Sequence, residues 1–148
     1  MTERFDIFLS HAYRDARVIA GVKRLIEDEG LSVYVDWIED VQLDRESVTP
    51  GTASILRQRM QHCGHLVFAS SEASPKSRWM PWELGYFDGL RQGHISIFPL
   101  VQQPGDQFKG QEYLGLYPAF ELITIDGINR LATLQGGSRV TLRAASRV

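Results

Sequence analysis

The chain has 148 residues, of which 43% are hydrophobic and 23% are charged, and its formal net charge is −2. These values indicate one soluble globular domain and give no bulk electrostatic reason to bind nucleic acid or an anionic membrane. The lone cysteine, Cys63, excludes a disulfide framework, and the absence of a signal-peptide pattern or an apolar run of about 20 residues favours a cytoplasmic protein.

Short apolar runs alternate with amphipathic ones along the chain, which predicts alternating strands and helices. The predicted elements are a strand at 5–9, a helix at 15–29 stopped by Gly30, a strand at 31–36, a helix capped by Thr49-Pro50 and stopped by Gly64, a strand at 65–70, a helix starting near 77–80 and ending near Gly93, strands at 95–101 and 121–126, and a final helix at 127–135.

Two connections are longer than such units need. The first, Trp37–Thr49, is charged and free of glycine, and is either a functional lid or partner surface or a solvated excursion. The second, Gln102–Phe120, is interpreted as a variable edge with a short irregular helix around Tyr113–Leu116.

The alternation predicts an α/β fold with a parallel sheet covered on both faces. Right-handed crossovers favour a five-stranded sheet in the order 2-1-3-4-5, in which the chain reverses between strands one and three. Ligands of such folds bind beyond the carboxyl ends of those strands. The loops at that position are Ser10–Arg14 and Ser71–Trp79, and the second leads directly to Glu83.

The stretch Ser77–Gly85 (SRWMPWELG) is the most informative in the chain. Pro81 is tolerated only near the start of a helix, so Glu83 should lie in the early turns, where the helix dipole favours a carboxylate. Trp79 lies four residues before Glu83 and should share its face. A carboxylate beside an aromatic wall suits a substrate that is cationic, planar, or becomes cationic as it reacts.

These residues resemble those of Toll/interleukin-1 receptor (TIR) domains. Phe5–Ser10 (FDIFLS) resembles the first sequence box of the family, and Ser77–Trp79 followed by Glu83 is similar to the S-x-W-x-x-x-E signature of its NAD-consuming branch. The runs Val35–Trp37 and Met80–Gly89 look most like short bacterial TIR proteins, including those of Thoeris-type anti-phage systems. The resemblance covers residues 5 to about 130.

The resemblance implies a flavodoxin-like fold and cleavage of NAD⁺ between nicotinamide and ribose. It places Glu83 in the position of the catalytic carboxylate. The candidate substrate-binding residues are Ser10, His11, Asp36, Trp37 and Trp79. Nicotinamide leaves NAD⁺ as a neutral molecule, so one carboxylate that stabilises the remaining sugar cation suffices. NAD⁺ is then a substrate, and neither a cofactor nor a metal is expected.

Other readings remain open beside this one. The chain could be a non-catalytic TIR interaction module or an enzyme similar to nucleoside deoxyribosyltransferases. A response-regulator receiver is discarded because Ser70-Ser71 stand where it needs an aspartate. Asp36, Glu39 and Asp40 could supply a second carboxylate or a metal site, although a solvated loop is favoured. Gly85 and Gly89 are interpreted as allowing close helix–sheet packing.

One domain over residues 1–135 and a basic tail over 136–148 are predicted. Arg139, Arg143 and Arg147 would share one face if the tail were helical, and a frayed end is the alternative. The resemblance implies self-association through TIR–TIR contacts, involving the loop after the second strand, and a product read by a separate effector protein.

Overall fold

The computed structural model describes residues 3–100, 112–125, 128–135 and 138–141. Short 3-10 turns occur at Tyr13–Asp15, Ser74–Lys76 and Glu112–Leu116. In chain order, the helices and strands are β1 (Phe5–Ser10), α1 (Ala16–Glu27), β2 (Val33–Tyr34), α2 (Asp36–Glu39), α3 (Pro50–Gln61), β3 (Cys63–Ser70), α4 (Met80–Leu90), β4 (Ile95–Pro99), β5 (Phe120–Ile125), β6 (Ile128–Gln135) and β7 (Ser138–Thr141).

The main sheet is parallel, with four strands among the described residues, in the order β2-β1-β3-β4. Its central strands are apolar on both faces because helices cover both of them. One face packs Phe8, Leu66 and Phe68 into a cluster with α3 and α4, and the other packs Ile7, Leu9 and Val67 with α1. The predicted α/β class and the order of the first four strands are confirmed.

Local sequence signals account for the ends of the helices. Thr49 caps α3 by accepting a hydrogen bond from the backbone N–H of Thr52 at 3.1 Å, and Pro50 takes the first helical position, as predicted. Gly30 and Gly93 have positive φ angles of 84° and 85° after α1 and α4, which glycine adopts without strain. The prediction that Gly64 stops α3 is wrong, because β3 already begins at Cys63.

The C-terminal part differs from the predicted architecture. β5 does not become the fifth parallel strand but pairs antiparallel with β6, which pairs antiparallel with β7. A bridge between Ile97 and Ala119 connects this part to β4. The predicted helix over 127–135 is wrong, since Ile128–Gln135 is a strand. Asp-Gly and Gly-Gly pairs separate these strands in the sequence, and such pairs are strong signals of hairpins with two-residue loops.

Other expectations for this region have mixed outcomes. The irregular helix near Tyr113–Leu116 is confirmed as a 3-10 turn. β7 lies within the predicted tail, so Arg139 is in a strand and not in a helix, whereas Arg143 and Arg147 lie outside the described residues. Within the ranges described, no helix is long and apolar enough to span a bilayer.

The interpretation of the two α4 glycines is wrong. Gly85 and Gly89 are exposed, and a β-carbon added at either position would have no atom within 4 Å. They therefore face away from the sheet. Close packing of α4 rests instead on Met80, Leu84 and Phe87, which are buried.

Candidate active site

The candidate catalytic carboxylate lies in the first turn of α4, at the edge where the parallel strands end. Glu83 is 1% exposed, and its backbone N–H donates to the carbonyl oxygen of Trp79 at 2.8 Å, which confirms the one-turn spacing. The hydroxyl of Ser10, at the end of β1, donates to Oε1 of Glu83 at 2.8 Å. The fold therefore brings the loop after β1 and the start of α4 together at the topological switch point.

Arg45, in the loop between α2 and α3, connects two buried carboxylates. Its Nε lies 2.8 Å from Oδ2 of Asp36, and its Nη2 lies 3.5 Å from Oε1 of Glu83. Its Nη1 also donates to the main-chain carbonyl of His11 at 3.0 Å. A guanidinium is planar, permanently charged and rich in donors, so it can offset both negative charges away from water. Arg45 is thus the centre of a buried ion network.

His11 is held as a neutral imidazole by its two neighbours. Its Nε2 accepts a hydrogen bond from the indole Nε1–H of Trp37 at 3.1 Å, so that nitrogen carries no proton. The proton is on Nδ1, which donates to the carbonyl of Leu9 at 3.1 Å. Burial, reinforced by the nearby charge of Arg45, lowers the pKa of His11. His11 therefore fixes the position of the Trp37 indole by accepting its hydrogen bond, and it does not line the cavity described below.

Burial is the main influence on the protonation of Glu83. It raises the pKa of this carboxyl above its ordinary value, and Asp36 adds to the increase. Arg45 and the hydrogen bond from Ser10 act in the opposite direction by stabilising the ionised form. The influence expected from the helix dipole is thus outweighed by the loss of solvent around the side chain.

Trp79 lies on the wall of a cavity of about 400 Å³ formed by the turn after β1, the loop between α2 and α3, and the segment before α4. Its indole Nε1–H donates to the main-chain carbonyl of Arg45 at 2.7 Å, and its ring packs edge-on against Trp82. Arg45 also lines the cavity, whereas Glu83 does not. Arg45 therefore stands between the cavity and the candidate catalytic carboxylate.

The acidic residues in and after α2, namely Asp36, Glu39 and Asp40, have separate environments. Asp36 is buried in the network of Arg45, and its Oδ1 accepts a hydrogen bond from the backbone N–H of Trp37 at 2.8 Å. Asp40 binds Arg59 through both carboxylate oxygens and accepts from the hydroxyl of Tyr34 at 2.7 Å. Glu39 is exposed. No group of three potential metal ligands occurs in the described part of the chain.

The structure thus gathers Ser10, His11, Asp36, Trp37 and Glu83 around one guanidinium, with Trp79 on the adjoining cavity. The sequence reasoning missed Arg45, because a charged loop residue carries no local signal that its side chain turns inward. It also missed the basic residues around the cavity, Arg14, Lys76 and Arg78. Arg14 lies in the predicted crevice loop Ser10–Arg14, and Lys76 and Arg78 lie in the loop Ser71–Trp79. These positions could have identified them as candidate binding residues.

The TIR resemblance implies a doubly wound α/β domain with a carboxylate at its switch point and a tryptophan one turn earlier, and the structure has this arrangement. The carboxylate was expected at an open crevice, whereas in this structure Glu83 is buried beneath Arg45. No family model matches the chain. The chain is, however, 60% identical over 115 residues to a Bacillus cereus protein (strain MSX-D12) named "Probable 3' cyclic ADP-D-ribose synthase ThsB'". That alignment covers 77% of this chain.

A second relative is a Cytobacillus dafuensis protein with the provisional name cyclic ADP-D-ribose synthase TIR2, which is 34% identical over 83 residues, or 55% of this chain. The chain spans 59% of the length of the first relative and 22% of the second. The similarity confirms the predicted resemblance to bacterial TIR proteins.

Proposed function

We propose that this protein cleaves NAD⁺ between nicotinamide and ribose and converts the ADP-ribose part into a cyclic product. The observation that carries the proposal is the planar cation of Arg45 held against Glu83 and Asp36. A site that holds one planar cation suits the pyridinium ring of NAD⁺ and the sugar cation left when nicotinamide departs. Both relatives are named as cyclic ADP-D-ribose synthases, which supports a cyclic product that contains the ADP-ribose part of NAD⁺.

In the proposed reaction, the bond between ribose C1′ and the pyridinium nitrogen breaks, and its electron pair moves into the ring. Nicotinamide leaves uncharged, so no residue has to protonate it. The carboxylate of Glu83 stabilises the positive charge that develops on the ribose, as carboxylates do in glycoside hydrolysis. A hydroxyl oxygen of the same molecule then bonds to C1′ and releases its proton to solvent. Trp79 supplies an aromatic face for the pyridinium ring.

Access of the substrate to Glu83 requires Arg45 to move. In this structure the guanidinium covers the carboxylate, and the segment around it is held by the indole of Trp79 and by Arg78, whose Nη1 donates to the carbonyl of Glu46 at 2.8 Å. Withdrawal of Arg45 would connect the cavity to Glu83. The pyridinium would then replace the guanidinium beside the same two carboxylates.

The test is to incubate the purified protein with NAD⁺ and separate the products by chromatography. We expect nicotinamide and a cyclic ADP-ribose in equal amounts, and we expect Glu83→Gln to lower turnover by roughly 10²-fold or more, because a charge-stabilising group is lost. Glu39→Gln, which removes an exposed carboxylate at the end of α2, is the matched control. Unchanged turnover in Glu83→Gln would contradict the proposal.

The same assay separates the alternatives. A non-catalytic interaction module, which the covering of Glu83 by Arg45 would suit, releases no nicotinamide at any protein concentration. An enzyme similar to nucleoside deoxyribosyltransferases would release free base from a deoxynucleoside and leave NAD⁺ intact.

We further propose that the protein acts in the bacterial cytoplasm as part of anti-phage defence, with its product read by a separate effector protein. In this proposal, residues 1–135 form the catalytic domain, and residues 136–148 form a tail whose strand β7 pairs with β6 of that domain. Self-association uses the loop between α2 and α3, in which Val41 and Val48 are exposed.

A further inference from the structure

The cavity beside the candidate active site has an excess of positive charge. Its charged lining residues are Arg14, Arg45, Lys76, Arg78 and Glu46. Arg45 is neutralised by Asp36 and Glu83, which leaves three cations and one carboxylate around about 400 Å³ of space. Within the described ranges, the side chains of Arg14 and Lys76 make neither an ion pair nor a hydrogen bond. Unpaired like charges repel, so their convergence requires a reason.

The segments that carry these cations are joined by hydrogen bonds. Arg14 and Lys76 lie in the 3-10 turns that follow β1 and β3. The hydroxyl of Ser71 donates to the carboxylate of Asp15 at 2.5 Å, which ties the first turn to the segment before the second. The hydroxyl of Ser74 then donates to the carbonyl of Ser71 at 2.8 Å. The two turns are thereby held at a fixed separation before any ligand arrives.

Arg78 is positioned by the opposite side of the cavity. One of its nitrogens donates to the carbonyl of Glu46, which anchors the guanidinium to the loop between α2 and α3. A guanidinium has five N–H donors, so most of them remain available to a ligand. The chain as a whole carries a net charge of −2, so the positive cavity is a local feature of this surface.

We propose that Arg14, Lys76 and Arg78 form a cradle for the diphosphate group of the dinucleotide. This inference rests on the proposed function, because NAD⁺ carries two negative charges on a diphosphate that is one ribose away from the bond to nicotinamide. Trp79 and Arg45 line the cavity, and Arg45 also contacts Glu83, so the cradle and the reacting centre adjoin. Charge-assisted hydrogen bonds from lysine and arginine are the usual means of holding phosphate oxygens.

The cradle assigns these three residues a role in binding and positioning the substrate. Because the diphosphate keeps its charge throughout the reaction, the contacts stabilise the bound substrate and the transition state equally. Loss of a contact should therefore raise KM and leave kcat nearly unchanged. Its strength should also fall with ionic strength, since the cations are exposed.

The direct test is calorimetric titration with ADP-ribose, which contains the diphosphate but cannot be cleaved at the nicotinamide bond, and with inorganic pyrophosphate as the minimal probe. We expect Arg78→Gln and the double variant Arg14→Gln/Lys76→Gln each to weaken ADP-ribose binding by roughly 10-fold or more. Arg24→Gln removes one exposed charge from α1, away from the cavity, and should bind like the wild type. Arg78→Lys should recover part of the affinity.

Further measurements keep this inference separate from the proposed function. With NAD⁺, the cradle variants should raise KM at nearly constant kcat, whereas nicotinamide riboside, which has no diphosphate, should react equally with wild type and variants. ADP-ribose binding that depends on the three cations would support the cradle even if NAD⁺ were not cleaved. Cradle variants that bind ADP-ribose as tightly as Arg24→Gln would overturn the inference, even with full NAD⁺ cleavage. Failure of the wild type to bind ADP-ribose would also overturn it.

Discussion

Arg45 is the residue on which the electrostatics of the site depend. Two carboxylates, Asp36 and Glu83, are almost fully excluded from water, and each would be strongly destabilised as an isolated anion. The guanidinium contacts both, at 2.8 and 3.5 Å. The contacts of Arg45 that stabilise these buried charges in the folded protein also block the approach to Glu83. At the scale of the residue, the contacts that stabilise the folded protein therefore oppose the substrate access that we propose.

This competition leads to a prediction about Arg45→Gln. We expect the free energy of unfolding at pH 7 to fall by roughly 3 kcal/mol or more, because the substitution leaves two buried carboxylates without a counter-ion. The pKa of Glu83, already raised in the folded protein, would rise further. The folded variant would then bind protons more tightly than the unfolded chain. Its loss of unfolding free energy relative to the wild type should therefore become smaller as the pH falls from neutral towards the ordinary carboxyl pKa of 4.5.

Urea denaturation at pH 7 and pH 5 would measure both effects. Arg24→Gln is the control, because it breaks an exposed pair with Asp28 and should change stability by less than about 0.5 kcal/mol. A loss of unfolding free energy of the same size at both pH values would show that Arg45 does not compensate the charges of the two carboxylates.

Among the elements, α4 carries the candidate catalytic residue Glu83 on its buried side and two glycines on its exposed side. Met80, Leu84 and Phe87 anchor one side of the helix, while Gly85 and Gly89 face open space. Glycine in an exposed helix interior costs conformational entropy and contributes no packing. The stability of α4 therefore derives from its buried side and from its start at Met80-Pro81.

We expect Gly85→Ala and Gly89→Ala each to raise the free energy of unfolding by up to about 1 kcal/mol, since alanine favours the helix and meets no atom within 4 Å. Gly93→Ala should lower it by about 1 kcal/mol, because φ at this position is +85°. Urea denaturation of the three variants measures these changes. Loss of stability in Gly85→Ala would show that the helix packs more closely than described.

At the scale of the whole molecule, the loop between α2 and α3 carries both Arg45 and the surface that we propose for self-association. Val41 and Val48 are 76% and 64% exposed, on the segment that also carries Arg45 inward. A contact that buried these side chains could shift the loop and withdraw the guanidinium from Glu83. Assembly would then activate the enzyme by changing the position of one side chain.

This arrangement predicts that the specific activity towards NAD⁺ rises with protein concentration. Val41→Glu should keep the protein monomeric and weakly active, because association would bury the charge of the glutamate in the contact. Val18→Glu places the same charge at an exposed position on α1 and should have no effect. Sedimentation velocity alongside the NAD⁺ assay measures both properties. Specific activity that is constant across a wide range of concentration would contradict the prediction.

The sequence by itself determined the features that depend on near neighbours: the α/β alternation, the cap at Thr49-Pro50, and the placement of Glu83 one turn after Trp79. Such features follow from backbone preferences and helix periodicity over a few residues. The wrong prediction of a C-terminal helix is also a local matter, because the Asp-Gly and Gly-Gly pairs that flank residues 128–135 are hairpin signals that the helix prediction left out of account.

Only the tertiary structure decided which distant side chains meet. Ser10 and Glu83 are 73 residues apart, and Arg45 reaches both buried carboxylates from a loop whose charged composition would equally suit a solvated surface. The inward turn of one arginine is set by the balance between its own desolvation and the charges it neutralises. That balance exists only once the strands have brought Asp36 and Glu83 to the same edge of the sheet.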